Sequence, residues 1–282
     1  MSTATVHRTT SGLAAAAVPR FDRSQLRLTP TRAVRSEWLK LTTLRSTWFT
    51  LASIVVLTAG VGVIASATYS SSAPAGATAA ESFAVTIGGG SLAVLVVGAL
   101  GALVGAREYQ SGLIRTTIAA VPHRTTVVLA KTAALAALLV PAVAVGVVTS
   151  AVVGGTMLRG VHVPTLALTD PLALRAMAGT VVYLTGIGLI GLAVGILLRS
   201  VAGAVATVIG VVLLLPPIAA AMLPASWDRV LELLPSQAGE ALAAVTAPAA
   251  GSLSAGAGLA DFLAWVVVAL AAASLVLSRR DA

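Results

Sequence analysis

The chain has 282 residues, of which 57% are apolar and 10% charged, with a mean hydropathy of +0.98 and a formal net charge of +8. These values exclude a water-soluble domain of ordinary composition and predict an all-α integral membrane protein. Cysteine is absent, which excludes a disulfide framework, a thiolate nucleophile and a cysteine-based metal site.

The first 30 residues are rich in Arg, Ser, Thr and Ala and contain only a short apolar patch, too small for the core of a signal peptide. We interpret residues 1–30 as a disordered basic tail on the cytoplasmic side. A nucleic-acid-binding arm is the competing interpretation, but no aromatic side chains for base stacking lie among the basic residues of the first 20 positions. We therefore expect no nucleic-acid partner.

Residues 31–44 predict an amphipathic helix lying in the membrane interface. Val34, Trp38 and Leu41 recur at helical spacing, while Arg35, Glu37 and Lys40 lie elsewhere on the turn. Membrane lipid is thus an expected partner. The alternative is that this helix simply extends the first membrane span. The predicted interfacial anchors are Trp38, Lys40 and Trp48.

Six long runs without charge predict six membrane-spanning helices, because about 20 apolar helical residues cross the hydrocarbon core. They belong to a single six-span domain, residues 31–282. Between the fifth and sixth spans, the sequence predicts two short helices, the first ended by Pro235 and the second over residues 240–245. The predicted spans are residues 48–67, 83–106, 132–156, 176–198, 201–223 and 261–278.

Small residues recur four positions apart inside several spans, a pattern that allows helix backbones to approach closely in lipid. We expect these rows to pack within one bundle, with subunit contacts as the alternative. Pro141 in the third span and Pro216 and Pro217 in the fifth predict kinks. The rows are Gly98, Ala102 and Ala106; Gly101 and Gly105; Gly191 and Gly195; and Ala202, Ala206 and Gly210.

The distribution of Lys and Arg predicts the orientation, because basic residues accumulate in cytoplasmic segments. With the N-terminus inside, nearly all of the 18 basic residues lie on the cytoplasmic side. Both termini are then cytoplasmic, and membrane orientation explains the positive net charge. The Lys-poor, Ala- and Arg-rich composition favours a bacterium of high GC content, and hence the bacterial plasma membrane as the location.

Apart from Asp261 at the interfacial start of the sixth, the predicted spans contain no Asp, Glu, Lys, Arg or His, which weighs against proton-coupled transport and intramembrane catalysis. The histidines have no partners at metal-ligand spacing, and neither lysine follows a phosphate-binding Gly-rich turn. We therefore expect neither enzymatic activity nor a cofactor in this chain. Any transport against a gradient would take its energy from a partner.

One charged segment, "REYQSGLIRTTIAAVPHRTTVVLAK" over residues 107–131, separates the second and third spans. Apolar residues at helical spacing between positions 113 and 121 predict a short amphipathic helix. Glu108 precedes it, Gly112 permits a bend and Pro122 ends it. On residues alone, this helix either docks on a partner or lies on the membrane surface.

The order of these residues resembles the membrane permease subunits of type-2 ATP-binding-cassette exporters. In that family a Glu follows the second span, then come a Gly-containing helix, a Pro with a basic residue, and a Lys that opens the third span. "RSEWLKLTTLRSTWFTL", over residues 35–51, is similar to the interfacial helix and first span of the same family. The matching positions are Glu108, Gly112, Arg115, Pro122, Arg124 and Lys131.

The resemblance implies that the chain forms a translocation pathway with a second permease copy or homologue, above separate cytoplasmic ATPase subunits. The segment between spans two and three would be the coupling helix seated in a groove of the ATPase, with Glu108, Arg115 and Arg124 at the rim of that groove. The implied coupling interface is Glu108, Gly112, Arg115, Pro122 and Arg124. An ATP-independent secondary carrier and a membrane scaffold or sensor partner without transport are the alternatives.

Overall fold

A computed structural model describes residues 29–110, 124–245 and 253–280, and every regular element among them is helical. The first helices are α1 (Pro30–Thr42), α2 (Arg45–Ser72), α3 (Ala79–Ile87), α4 (Gly90–Gln110), α5 (Arg124–Gly160) and α6 (Pro171–Leu198). They are followed by α7 (Val201–Ile209), α8 (Leu215–Met222), α9 (Asp228–Leu231), α10 (Pro235–Ala243) and α11 (Ala255–Arg280).

Six helical segments are long and apolar enough to cross a membrane, which confirms an all-α membrane fold with six spans. They are Arg45–Ser72, Ala79–Tyr109, Arg124–Gly160, Pro171–Leu198, Val201–Met222 and Ala255–Arg279. Each predicted span lies inside one of them, except that the fifth overruns by one residue. The segments extend beyond the uncharged runs because helices continue through charged residues at their ends.

The spans alternate in direction, so α1, the start of α2, the end of α4, the start of α5 and the end of α11 share one end of the bundle. We call this the α1 end. Helix α1 is not a continuation of the first span, because the backbone of Leu44 is extended between α1 and α2. The Trp48 indole Nε1 donates a hydrogen bond of 2.8 Å to the Thr42 carbonyl across this break.

Helices α4 and α6 form the tightest packing in the bundle, through the small-residue rows. A Cβ added at Gly101 would collide with the carbonyl oxygen of Gly188, and one at Gly195 would lie 2.5 Å from that of Ala102. These rows therefore pack within the chain, as predicted. The row of Ala202, Ala206 and Gly210 differs, because both alanines are exposed and Gly210 has no neighbour within 4 Å.

The fifth span changes its winding near its prolines. Residues 210–214 form a π-helical turn between α7 and α8, and the Leu215 amide donates to the Gly210 carbonyl. Pro216 and Pro217 have no N–H to continue an α-helical ladder, so a local wide turn before them is the expected accommodation. Pro141, in contrast, lies inside the continuous helix α5.

Of the two short helices before the last span, the first is shorter than the sequence predicted and the second begins earlier. Helix α9 is a single turn, and α10 begins at Pro235 rather than after it, because proline suits the first position of a helix. Helix α10 packs against α6 and α11. At this opposite end of the bundle, the rings of Tyr183 and Phe262 make an edge-to-face contact at 5.5 Å.

Candidate functional site: an ionic cluster at the α1 end

Three helices bring four charged side chains together at the α1 end. Glu37 and Lys40 come from α1, Glu108 from the last turn of α4, and Lys131 from about two turns inside α5. We call these four residues the ionic cluster. Helix α1 packs on α5 through one face, so the cluster closes where α1 meets the two spans.

The buried face of α1 explains the position of Glu37. Ala33, Glu37 and Leu41, four residues apart, are the buried residues of this helix. The sequence predicted a stripe of Val34, Trp38 and Leu41 instead, with Glu37 elsewhere. Leu41 is buried in the bundle, Trp38 is exposed, and Glu37 faces inward, because a lysine from α5 offers the carboxylate a partner there.

Each lysine of the cluster bridges both glutamates. Lys131 Nζ lies 2.8 Å from Glu37 Oε2 and 2.8 Å from Glu108 Oε1. Lys40 Nζ lies 2.6 Å from Glu37 Oε1 and 2.8 Å from Glu108 Oε1. These are charge-assisted hydrogen bonds, and two cations balance two anions.

Burial separates the two lysines. The Lys131 side chain is 5% exposed, whereas that of Lys40 is 44% exposed. Burial lowers the pKa of Lys40, but the hydrogen bonds and charges of Glu108 and Glu37 outweigh it, so the pKa lies above its ordinary value. Lys131 is thus the inner counterion, and Lys40 closes the cluster toward the surface.

Two further contacts join helix ends at the same level. The Arg199 guanidinium lies 4.9 Å from the centre of the Tyr109 ring, linking the turn after α6 to the end of α4. Arg124 Nη1 donates to the carbonyl oxygens of Leu277 and Ser278 at 2.9 and 3.2 Å. A cation at the C-terminal end of α11 is favourable both as a hydrogen-bond donor and toward the helix dipole.

The structure describes only two residues of the implied coupling interface, Glu108 and Arg124. Glu108 is buried between two lysines, so its carboxylate does not lie on a rim facing the cytoplasm. Arg124 is occupied by the end of α11. Gly112, Arg115 and Pro122, and the predicted coupling helix itself, lie outside the described residues.

The predicted anchors also differ among themselves. Trp38 and Trp48 are exposed, 38% and 56%, as side chains at a membrane interface are. Lys40 instead bonds both glutamates of the ionic cluster. Anchoring of α1 to lipid stays a prediction, whereas the contact of Lys40 with the bundle is structural.

Sequence reasoning left Glu37 out of the site and treated Lys131 only as a motif residue. The available signal was Glu37 at spacing four between Ala33 and Leu41, which places an acid on an apolar helix face. A buried acid calls for a cation, and Lys131 flanks the longest charge-free stretch of α5. That pair of observations was sufficient to suggest an interhelical ion pair.

The cluster is suited to holding helices together rather than to bond-making chemistry, because each of its carboxylates is engaged by a lysine. No group of three or more His, Asp and Glu in the described part of the chain could hold a metal ion. No model of a known protein family matches the chain, and no curated protein matches it significantly. Fold and site together define a multi-pass α-helical membrane protein with charged helix ends joined at one end of the bundle.

Proposed function

We infer that the chain is the membrane-spanning permease subunit of an ATP-binding-cassette exporter. It would form the translocation pathway with a second copy or homologue, and a separate cytoplasmic ATPase subunit would supply the energy. The bacterial plasma membrane, with both termini cytoplasmic, is the proposed location. The motif order over residues 35–51 and 107–131 is the sequence basis for this proposal.

One structural observation supports it most: residues 111–123 connect two helix ends that are both fastened to other helices. Before the segment, Glu108 is bonded to Lys40 of α1 and Lys131 of α5. After it, Arg124 is bonded to the end of α11. A force on the segment would therefore move several helices at once.

Such fastening is what a mechanically coupled permease requires. Closure of an ATPase can shift a membrane domain between two states only if the contacted segment moves rigid elements. The cluster and the Arg124 contact fasten the two helix ends that flank the segment between spans two and three. The proposed role of Glu108 is accordingly to position that segment from within, rather than to contact the ATPase.

The test is co-expression of the tagged chain with a candidate ATPase from a neighbouring gene, followed by purification in detergent and measurement of ATPase activity in the eluate. We expect stoichiometric recovery of both proteins. The informative variants are Gly112→Pro and Arg115→Glu, which change the connecting segment and keep all four residues of the ionic cluster. The matched control is Arg159→Glu, an exposed residue at the opposite end of α5.

Loss of the ATPase with Arg115→Glu but not with Arg159→Glu would support the docking role. Recovery of the folded chain without any ATPase would contradict the proposal and favour an ATP-independent carrier or a scaffold. If Gly112→Pro and Arg115→Glu both recover the complex in the same amount as the wild type, the ATPase contact lies elsewhere in the chain.

A further inference from the structure

A cavity of about 480 Å³ lies beside the ionic cluster, between α1, the start of α2 and the last turns of α4. Its size is within the range of small-molecule sites. One wall is apolar, and Leu103 in that wall is 41% exposed. The apolar wall consists of Leu41, Leu44, Leu100, Leu103 and Val104.

The other end of the cavity is polar and includes the side chain of a buried threonine. Thr47 lines it, is only 5% exposed, and its hydroxyl makes no hydrogen bond among the described residues. Ser46 and Thr50 also line the cavity. A hydroxyl in the wall of a cavity is a donor and acceptor available to a bound molecule.

The start of α2 adds a preference for an anion. Leu44 occupies the position before the first helical residue and offers no side-chain acceptor to the amides of the first turn. The N-terminal end of this 28-residue helix therefore presents a partial positive charge next to the Thr47 hydroxyl.

The charged residues of the cavity also favour an anion. Among the described residues, three cationic side chains, Lys40, Lys131 and Arg107, line the cavity together with the two carboxylates of Glu37 and Glu108. Both carboxylates already accept hydrogen bonds from the lysines. The side chains of Lys40 and Arg107 are the exposed cations of the group.

The geometry points to a binding site for an anionic phospholipid from the leaflet that α1 borders. The phosphate lies at the start of α2, between Lys40, Arg107 and the Thr47 hydroxyl, and one acyl chain lies along Leu100, Leu103 and Val104. The bound lipid joins α1 to α2 and α4 at the level of the ionic cluster. This site does not depend on the proposed transport function.

The test is native mass spectrometry of the full-length protein, delipidated in detergent and titrated with phosphatidylglycerol or phosphatidylcholine of equal chain length. We expect phosphatidylglycerol to bind at least about tenfold more tightly, because only its headgroup is a net anion. Arg107→Gln and Thr47→Val should each weaken phosphatidylglycerol selectively. Leu103→Trp should fill the apolar part and weaken both lipids.

Two matched controls lie near the same end but outside the cavity. Arg35→Gln removes an exposed charge from α1, and Leu129→Trp enlarges an exposed apolar residue of α5. Both should leave the binding curves unchanged, and the melting temperature before lipid addition verifies that each variant is folded. Equal affinity for both lipids would overturn the proposed headgroup site. Equal effects of Arg107→Gln and Arg35→Gln on phosphatidylglycerol binding would overturn it as well. Unchanged binding by folded Leu103→Trp would overturn the acyl-chain position.

Discussion

Replacement of Lys131 by Met removes the inner counterion of the ionic cluster while keeping most of the side-chain length. Glu37 and Glu108 then remain buried at the junction of α1, α4 and α5, with Lys40 as the cation of the cluster. Lys40 is 44% exposed, so water screens much of its attraction. We expect the variant to be strongly destabilised.

The size of the effect follows from the distances. The Glu37 and Glu108 oxygens that bond Lys131 are each 2.8 Å from its Nζ, and are therefore at most about twice that distance apart. Two like charges at this separation repel by about 3 kcal/mol at an effective dielectric constant of about 20. Breaking a buried ion pair by removing one partner costs about 3–5 kcal/mol, a range that includes this value.

The assay is equilibrium unfolding in mixed micelles, followed by tryptophan fluorescence, for Lys131→Met, Glu108→Gln and the double variant. In the double variant Glu37 still pairs with Lys40 and the cluster is neutral again, so much of the lost stability should return. We expect a coupling free energy toward the upper end of the usual range of about 0.5–3 kcal/mol. Arg35→Met, on the exposed side of α1, is the control and should change stability by less than about 0.5 kcal/mol.

Additive effects of Lys131→Met and Glu108→Gln would refute this reasoning, because independent residues share no buried charge balance. A cost of Lys131→Met no larger than that of the Arg35 control would refute the burial of the cluster itself.

Three further predictions concern other contacts of the bundle. Lys40→Gln should lower the stability by about 1 kcal/mol or less at neutral pH, because the Lys40 side chain is half-exposed. Since the pKa of Lys40 is raised in the folded protein, this loss should persist below about pH 10.5 and shrink as the pH rises further. Melting curves of the wild type and the variant at several pH values measure it. Arg124→Gln should accelerate hydrogen exchange in the last turn of α11, and Arg124→Lys should exchange at an intermediate rate. Equal exchange in the wild type and both variants would contradict a capping role of Arg124. Gly101→Ala should destabilise the protein by about 1–3 kcal/mol in the same melting assay, because the added methyl group meets the Gly188 carbonyl. Gly60→Ala is the control: a methyl group there has nothing within 4 Å, so this variant should be neutral or stabilised by up to about 1 kcal/mol.

The helical fold and its six spans were predictable because apolar content and run length are local properties of the sequence. The ends of the spans were not, since α4 continues through Glu108 and α5 begins before Lys131. An uncharged run marks the part of a helix that tolerates no charge, not the whole helix. The missing information is which charged residues find partners at the helix ends.

The same reason limits prediction of the site. Lys131 pairs with Glu37 across 94 residues of sequence, and Lys40 with Glu108 across 68. Helical spacing predicts which residues share a face of one helix but not which face meets another helix. The inward position of Glu37 therefore depends on how α1 docks. The glycine rows of α4 and α6 predicted close packing within the bundle, but not that these two helices are partners.

The position of Lys131 in the chain has a consequence for biogenesis. Glu37, Lys40 and Glu108 precede α5 in the chain, and their formal charges sum to −1, which Lys131 balances. The ion pairs that join α1 and α4 to the third span therefore form only when α5 is in place. Insertion of α5 brings Lys131 between the two glutamates, balances their charge and adds two of the four ion pairs of the ionic cluster.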